Sequence, residues 1–159
     1  MSREYPIIAV TGSSGAGTTT VRRSFERMFL REDVHAAVVD GDAFHRYTRD
    51  DLHRIFREEP ERKDELSHFA VEANLLDRLE GLFSEYGEHG SGTFRHYIHA
   101  EDKQKIEAGY RVGTFTEWQS LPCGTDLLFY EGLHGGLVTE EYDIARHVDL
   151  LVGVAPTMN

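Results

Sequence analysis

The sequence predicts an α/β fold in three layers, with a mostly parallel sheet between helices. Three observations carry this. Short apolar runs of strand length alternate with longer stretches of helical spacing. The runs are apolar on both faces, as buried strands of a parallel sheet must be. A glycine-rich loop, Gly12–Thr19, separates the first run from the first helix.

The elements follow in order. Pro6–Thr11 (PIIAVT) reads as a buried strand. From Thr18 to Phe29, Val21, Phe25, Met28 and Phe29 recur at helical spacing. Val34–Asp40 (VHAAVVD) is a second buried strand, closed by Gly41. Asp50 to Lys63 is highly charged and predicts a surface helix with a loop. Glu72–Tyr86 lines Leu75, Leu76, Leu79, Leu82, Phe83 and Tyr86 along one helical face, and Gly87 is expected to stop it. A turn at Gly90–Gly92 follows. Thr93–His99 and Gly113–Trp118 predict short strands around the polar stretch Ala100–Gly109. Asp126–Tyr130 (DLLFY) and Val148–Val154 (VDLLVGV) predict two more buried strands.

Composition excludes several classes. The 159 residues suffice for one domain with a hydrophobic core. A net charge of −11 argues against a nucleic-acid binder and against an anionic membrane surface. Cys123 is the single cysteine, so no internal disulfide is expected. The first residues hold no signal-peptide core, and no run is long enough to span a bilayer, so a cytoplasmic location is expected.

The loop reads Gly12-Ser13-Ser14-Gly15-Ala16-Gly17-Thr18-Thr19. Glycines let the backbone curl so that successive N–H groups face one phosphate. The helix then presents its positive dipole end to the same group. A strand, such a loop and a helix open a P-loop nucleoside triphosphate hydrolase-like fold. The expected contacts to ATP are Gly12, Ser13, Ser14, Gly15, Ala16, Gly17, Thr18, Thr19 and Thr20. Thr19 falls where the P-loop pattern places the hydroxyl that binds Mg2+. The lysine slot of that pattern holds Thr18 instead. An ordinary glycine-rich turn is the alternative. A dinucleotide fingerprint is disfavoured, because the spacing is not G-x-G-x-x-G.

Open parallel sheets bind ligands beyond the carboxyl ends of their strands. Asp42 follows the second strand in DGDAFHR and is a candidate general base for an attacking hydroxyl. Asp40, two residues earlier, is the competitor. Asp42 is preferred because Gly41 ends the strand and frees the next side chain. Glu131, in LLFYEG, resembles a Walker B acid that holds Mg2+. Each carboxylate could instead serve only as a turn or cap.

The densest positive stretch runs through His45, Arg46, Arg49, His53, Arg54, Arg57, Arg62 and Lys63. Arginine forks suit a phosphate monoester. The interleaved acids could instead pair with Arg57 through Lys63 on a solvated helix face. His45 and Arg49, at i and i+4, would share a face if the segment is helical. His96 and His99 make a weak metal pair without a nearby cysteine. One of them is better placed in an acceptor pocket.

The segments PIIAVTGSSGAGTTTV, DGDAFHRYTRDDL, SHFAVEANLL, EYGEHGSG, YIH and LLFYEGLHGG resemble phosphoribulokinases of the bacterial type, from Tyr5 to Pro156. Uridine and pantothenate kinases share the fold but generally keep the loop lysine, where the bacterial phosphoribulokinases have threonine. The resemblance implies ATP-dependent phosphorylation of D-ribulose 5-phosphate to the 1,5-bisphosphate, in the Calvin cycle. It implies Asp42 as base, Glu131 near Mg2+, and His45 and Arg49, with His53 and His99, as sugar-phosphate contacts. It implies a link of Arg31 to activation by NADH and inhibition by AMP, and assembly as a homo-oligomer. His53 stands where relatives often have lysine. Plant-type members carry a redox cysteine in the loop, which is absent here. Relatives continue well beyond this end, with a basic lid and a further catalytic acid. The expectation is therefore the N-terminal part of one kinase domain, residues 1–159, truncated before its lid and last strand, binding ATP weakly and turning over little. Another small-metabolite kinase of the same fold, such as a uridine kinase, or a non-catalytic nucleotide-binding fragment, is the alternative.

Overall fold

The computed structural model describes residues 4–13, 15–67 and 69–156. Four strands form one parallel sheet in the order β2-β5-β1-β6: β1 Ile7–Thr11, β2 Ala36–Asp40, β5 Leu127–Gly132 and β6 Leu150–Gly153. A two-residue pair, β3 Thr93–Phe94 and β4 Gln119–Ser120, lies outside it and is antiparallel. The helices are α1 Thr18–Arg31, α2 Arg49–Glu58, α3 Leu76–His89 and the short α4 Lys103–Glu107.

Strand alternation builds the three layers. Ile7, Ala9, Leu128 and Tyr130 face one side with Ala37 and Val39, where α3 lays down Leu79, Phe83 and Tyr86. Val10, Leu127 and Phe129 face the other side, against Val21, Phe25 and Phe29 of α1. Fully burying each of the larger aliphatic and phenylalanine side chains contributes about 1.5–3 kcal/mol before entropy is counted. The apolar runs therefore become strands because both their faces have helices to meet.

Several boundaries differ from the sequence expectation, each for a local reason. Helix α3 starts at Leu76 rather than Glu72. Asn74 is held extended (φ −128°, ψ 152°), and its side chain bonds His45 instead of continuing a helix. The helix also runs through Gly87 and ends at Gly90, whose left-handed φ of 65° closes it. The expected strands Thr93–His99 and Gly113–Trp118 shrink to β3 and an isolated bridge, Tyr97–Phe115, while β4 falls just beyond Trp118. Arg95 turns inward between them and takes up backbone carbonyls. The polar stretch between them contains α4. Strand β6 was expected to be buried, but it is an edge strand, and Leu150 and Leu151 are each 46% exposed.

One close approach positions the site. A Cβ on Gly41 would stand 2.6 Å from the Tyr130 hydroxyl and 2.7 Å from the Cα of Gly132. The turns leaving β2 and β5 thus touch, backbone to backbone, over a fully buried tyrosine. Gly41→Ala is expected to lower stability by about 1–3 kcal/mol, an overpacking cost against unyielding backbone. Urea unfolding measures it, and an unchanged midpoint would refute the contact.

Candidate functional site

The glycine-rich loop leaves β1 beneath the end of β6. Gly12 has no room for a side chain, since a Cβ would lie 2.6 Å from the carbonyl oxygen of Val154. Gly15 and Gly17 take left-handed φ values of 82° and 100°, open to glycine and strained for other residues. Gly17 caps α1 without a side chain, and no acidic residue occupies the first helical turn. The N–H groups and dipole of that turn are therefore left to an anion. Gly12, Gly15, Thr18 and Thr19 line a cleft of about 910 Å³. The Thr20 N–H is already bonded to the Gly17 carbonyl at 3.0 Å, so its backbone belongs to the helix. Ser14 lies outside the described residues.

The strand ends bring acids to the same cleft. Asp40 and Glu131 are register partners on β2 and β5, and both line it together with Asp42. The Asp42 N–H donates to Asp40 Oδ1 at 2.9 Å, so one oxygen of Asp40 caps the Gly41–Phe44 turn. The Asp42 carboxylate projects further, with its side chain 44% exposed against 33% for Asp40. This separates the two carboxylates by geometry. Glu131 sits 3.5 Å from Nη1 of Arg22 on α1.

Two histidines frame Asp42. His45 Nε2 lies 3.2 Å from Asp42 Oδ1, and His45 Nδ1 lies 2.9 Å from Asn74 Oδ1. The Asn74 amide donates to the Ala70 carbonyl at 2.7 Å, which fixes its oxygen toward the ring. Both ring nitrogens of His45 thus face acceptors, an arrangement satisfied fully by the imidazolium. Burial pulls the His45 pKa down, but the Asp42 hydrogen bond and charge, with Asn74, outweigh it and hold it above the usual value. His99 Nε2 lies 3.5 Å from both Asp40 Oδ2 and Asp42 Oδ2. Its pKa is raised, first by the Asp40 hydrogen bond. His96 lines the same cleft with its pKa lowered by burial and then by Lys105. Buried His134, on the turn after β5, is also lowered, first by burial.

Donor atoms of Asp40, Asp42 and His99 lie within 4.8 Å of one another and could hold a divalent ion. Among the described residues, this cluster pairs His99 with Asp40 and Asp42 and does not include His96, its partner in the expected metal pair. Thr19 and Glu131 offer hard oxygen donors along the same cleft, which suits Mg2+.

A smaller pocket of about 280 Å³ opens beside the cleft. His45, Arg49 and His53 line it, with Tyr47 and Tyr97 as walls. His45 and Arg49 do not share a helical face as expected: His45 ends the short turn after β2, and Thr48 caps α2 through a capping box with Asp51. The i, i+4 pair is instead Arg49 with His53 on α2. Arg46 bonds the Glu72 and Asn74 carbonyls, Arg54 pairs with Asp51, and Arg62 with Glu59. Arg31 sits at the far end of α1, about 20 Å down the helix axis from the loop, paired with Glu32.

Sequence reasoning missed Asn74, Tyr47, Tyr97, Arg22 and Arg95. Arg95 donates from Nε to the Ala43 carbonyl at 2.8 Å and from Nη2 to the His45 carbonyl at 2.7 Å. Its guanidinium lies 3.7 Å from the Phe115 ring centroid and 4.8 Å from that of Trp118. Burial, then Arg78, lowers its pKa to about 10. One arginine thus holds two carbonyls of the Asp42–His45 turn. No sequence period marks such a residue.

The family model described as the phosphoribulokinase / uridine kinase family matches residues 7–159. The chain is 51% identical over 160 residues to a phosphoribulokinase of Nitrobacter vulgaris, and 51% over 161 to the chromosomal phosphoribulokinase of Cupriavidus necator. In both alignments it is fully covered and spans about half of the relative, 55% and 54%. Its structure is similar to that of phosphoribulokinase from Rhodobacter spheroides, with a TM-score of 0.83 and 43% identity, covering 98% of this chain and 53% of that one.

Two outcomes are expected. In an NMR titration of the imidazole carbons, His45 and His99 should titrate above the usual histidine value, and His96 and His134 below it. A reversed order would refute the contacts. The linked stability has a definite sign. The stabilisation from His45 and His99 is present below about pH 6.5 and lost as pH rises through their folded values; that of neutral His96 and His134 is lost as pH falls. Separately, Arg95→Met should cost about 2–4 kcal/mol of unfolding free energy by removing two charged donors from partly buried carbonyls.

Proposed function

The chain belongs to the phosphoribulokinase / uridine kinase family, and we propose that it carries the nucleotide and acceptor sites of an ATP-dependent phosphoribulokinase, an alcohol-group phosphotransferase acting on D-ribulose 5-phosphate. One observation carries the reading. Asp42 and Glu131 stand in one cleft with the loop at the start of α1, and the arginine–histidine pocket opens beside Asp42.

The chemistry follows from placement. Phosphoryl transfer asks the protein mainly to position groups and stabilise charge. N–H groups of the glycine-rich loop and of the first turn of α1 receive the phosphates of ATP, though not that of Ala16, which donates to the Ser13 carbonyl. Thr19 and Glu131 are the residues that would hold Mg2+, which neutralises charge on the transferring group when bound. Asp42 accepts the proton of the acceptor hydroxyl. His45 holds that carboxylate in place through Nε2 and also lines the smaller pocket. Arg49 and His53 take the phosphate monoester of the acceptor. His99 bridges Asp40 and Asp42 within the larger cleft.

The half-length match and the exposed Leu150 and Leu151 support the wider reading that residues 1–159 form the N-terminal part of the kinase domain, with a lid and last strand in a further segment. Control by NADH and AMP through Arg31 and self-association rest on the family resemblance, and a cytoplasmic location rests on the sequence reading of its first residues and apolar runs. Among the described residues, no helix is long and apolar enough to cross a membrane.

A uridine kinase-like activity is the second reading, and the family model spans both. The basic residues of the smaller pocket favour a phosphorylated acceptor over a neutral nucleoside. Coupled ADP release with ribulose 5-phosphate and uridine, using the full-length protein, separates them: faster turnover of uridine would overturn the proposal. In the same assay Asp42→Asn should lower kcat by about 10²–10⁴-fold, the usual worth of a general base, with ATP binding retained. Loss of ATP binding with an intact fold would assign Asp42 to the nucleotide instead.

A further inference from the structure

The loop lacks its lysine, yet the cleft it serves is acidic. Asp40, Asp42, Glu26, Glu101, Asp102 and Glu131 all line it. A triphosphate entering such a cleft needs a cation close to the first turn of α1. Four permanently charged side chains also line the cleft: Arg22, Arg23, Arg49 and Lys105.

Two of them are engaged elsewhere, and a third, Arg23, is placed differently on the helix. Arg49 begins α2, where its side chain packs against Gly113 and forms the wall of the smaller pocket. Lys105 is carried on α4, 3.9 Å from Asp102. Arg23 falls five residues after Thr18, well round the helix from it. Arg22 alone follows Thr18 by four residues on the same helix, so the two share a face about 6 Å apart along the axis. Helical side chains lean toward the N-terminus and cover the preceding turn. A long guanidinium side chain at Arg22 therefore overlies the turn where a loop lysine would act.

Its present partners fit that role. Arg22 Nε lies 2.9 Å from Glu26 Oε1 on its own helix, and Nη1 lies 3.5 Å from Glu131 Oε2 across the cleft. The Glu131 side chain is only 14% exposed, so the guanidinium has been drawn to the carboxylate that faces the phosphate site. The Nη1 contact is long, and a phosphate oxygen is a stronger partner for an arginine fork.

We propose that Arg22 supplies the phosphate-binding cation that Thr18 does not, exchanging its Glu131 contact for the outer phosphates of the bound nucleotide. This rests on the kinase reading above. The cation is set one turn into the helix, and it is coupled to the acid expected to hold Mg2+.

The test is isothermal titration of this chain with ATP and, separately, with inorganic tripolyphosphate, each with Mg2+ present. Arg22→Ala should weaken both by about tenfold or more, the worth of one charge-assisted contact. Thr18→Lys in the Arg22→Ala background should restore most of the loss, because it returns a cation to the same place. Arg22→Lys should fall between. Thermal melts run in parallel confirm that each variant is folded. Unchanged affinity in Arg22→Ala overturns the proposal. So does a loss that Thr18→Lys leaves unrepaired, since Arg22 then acts only by holding Glu131 and Glu26. If the unmodified chain and the full-length protein both fail to bind either ligand, the kinase reading itself fails, and this inference with it.

Discussion

The site depends on the contact between Gly41 and Gly132 over the Tyr130 hydroxyl. Strands β2 and β5 are neighbours in register, Asp40 beside Glu131, but register alone does not set the turns that leave them. Those turns can come together only if both are glycine at the crossing point. Tyr130, fully buried with its pKa pushed up by that burial, fills the space beneath and receives the His134 N–H at 3.4 Å. The backbone positions of Asp42 and Glu131 are consequently set by a backbone contact, before any side chain acts on them. A shift of either turn would change the distance between the proposed base and the proposed metal ligand together.

Around that crossing, charge is arranged by pairing within a strongly acidic chain. Asp42 is flanked by two imidazoles whose pKa values are raised, while His96 and His134 nearby are lowered. The difference has a cause in each case. His45 and His99 touch carboxylates; His96 and His134 are shifted chiefly by burial. Within a chain of net charge −11, the two imidazoles whose pKa values are raised are the two that meet the Asp42 carboxylate, one at each oxygen. Arg95 serves the same turn through its carbonyls, stacked against Phe115 and Trp118 where no carboxylate is needed. Arg95 anchors the turn through backbone carbonyls and so does not itself occupy the Asp42 carboxylate.

Much of this was legible in the sequence, and the rest was not, for physical reasons. The three layers were readable because apolar runs and helical periods are local signals. So were the loop, Asp42 and Glu131, because strand ends in a parallel sheet point to one edge. Asn74 was hidden inside an apparent helical run: its extended backbone is imposed by His45, a residue 29 positions away. The pairing of Arg49 with His53 was missed because the end of one turn and the start of the next helix look continuous in sequence. Leu150 and Leu151 read as core, since an edge strand and a central strand have the same composition. Arg95 carries no pattern, because its value lies in two carbonyls and two rings that only the fold assembles.

The glycine-rich loop has two separable requirements, a backbone cradle and a cation. Its backbone cradle needs only glycines and a helix start, and both are local. Its cation need not be local, because a charge acts over several ångströms in any direction. A lysine inside the loop ties the two requirements to one segment. Thr18 separates them, and the cation can then come from any element that borders the cleft. Arg22 stands on the helix that the loop begins and already reaches toward Glu131. A cation placed there is held by the very acid that must be released when Mg2+ and phosphate arrive. Binding of the nucleotide would then rearrange one contact and not merely fill a vacancy, which couples occupancy of the loop to the carboxylate at the end of β5.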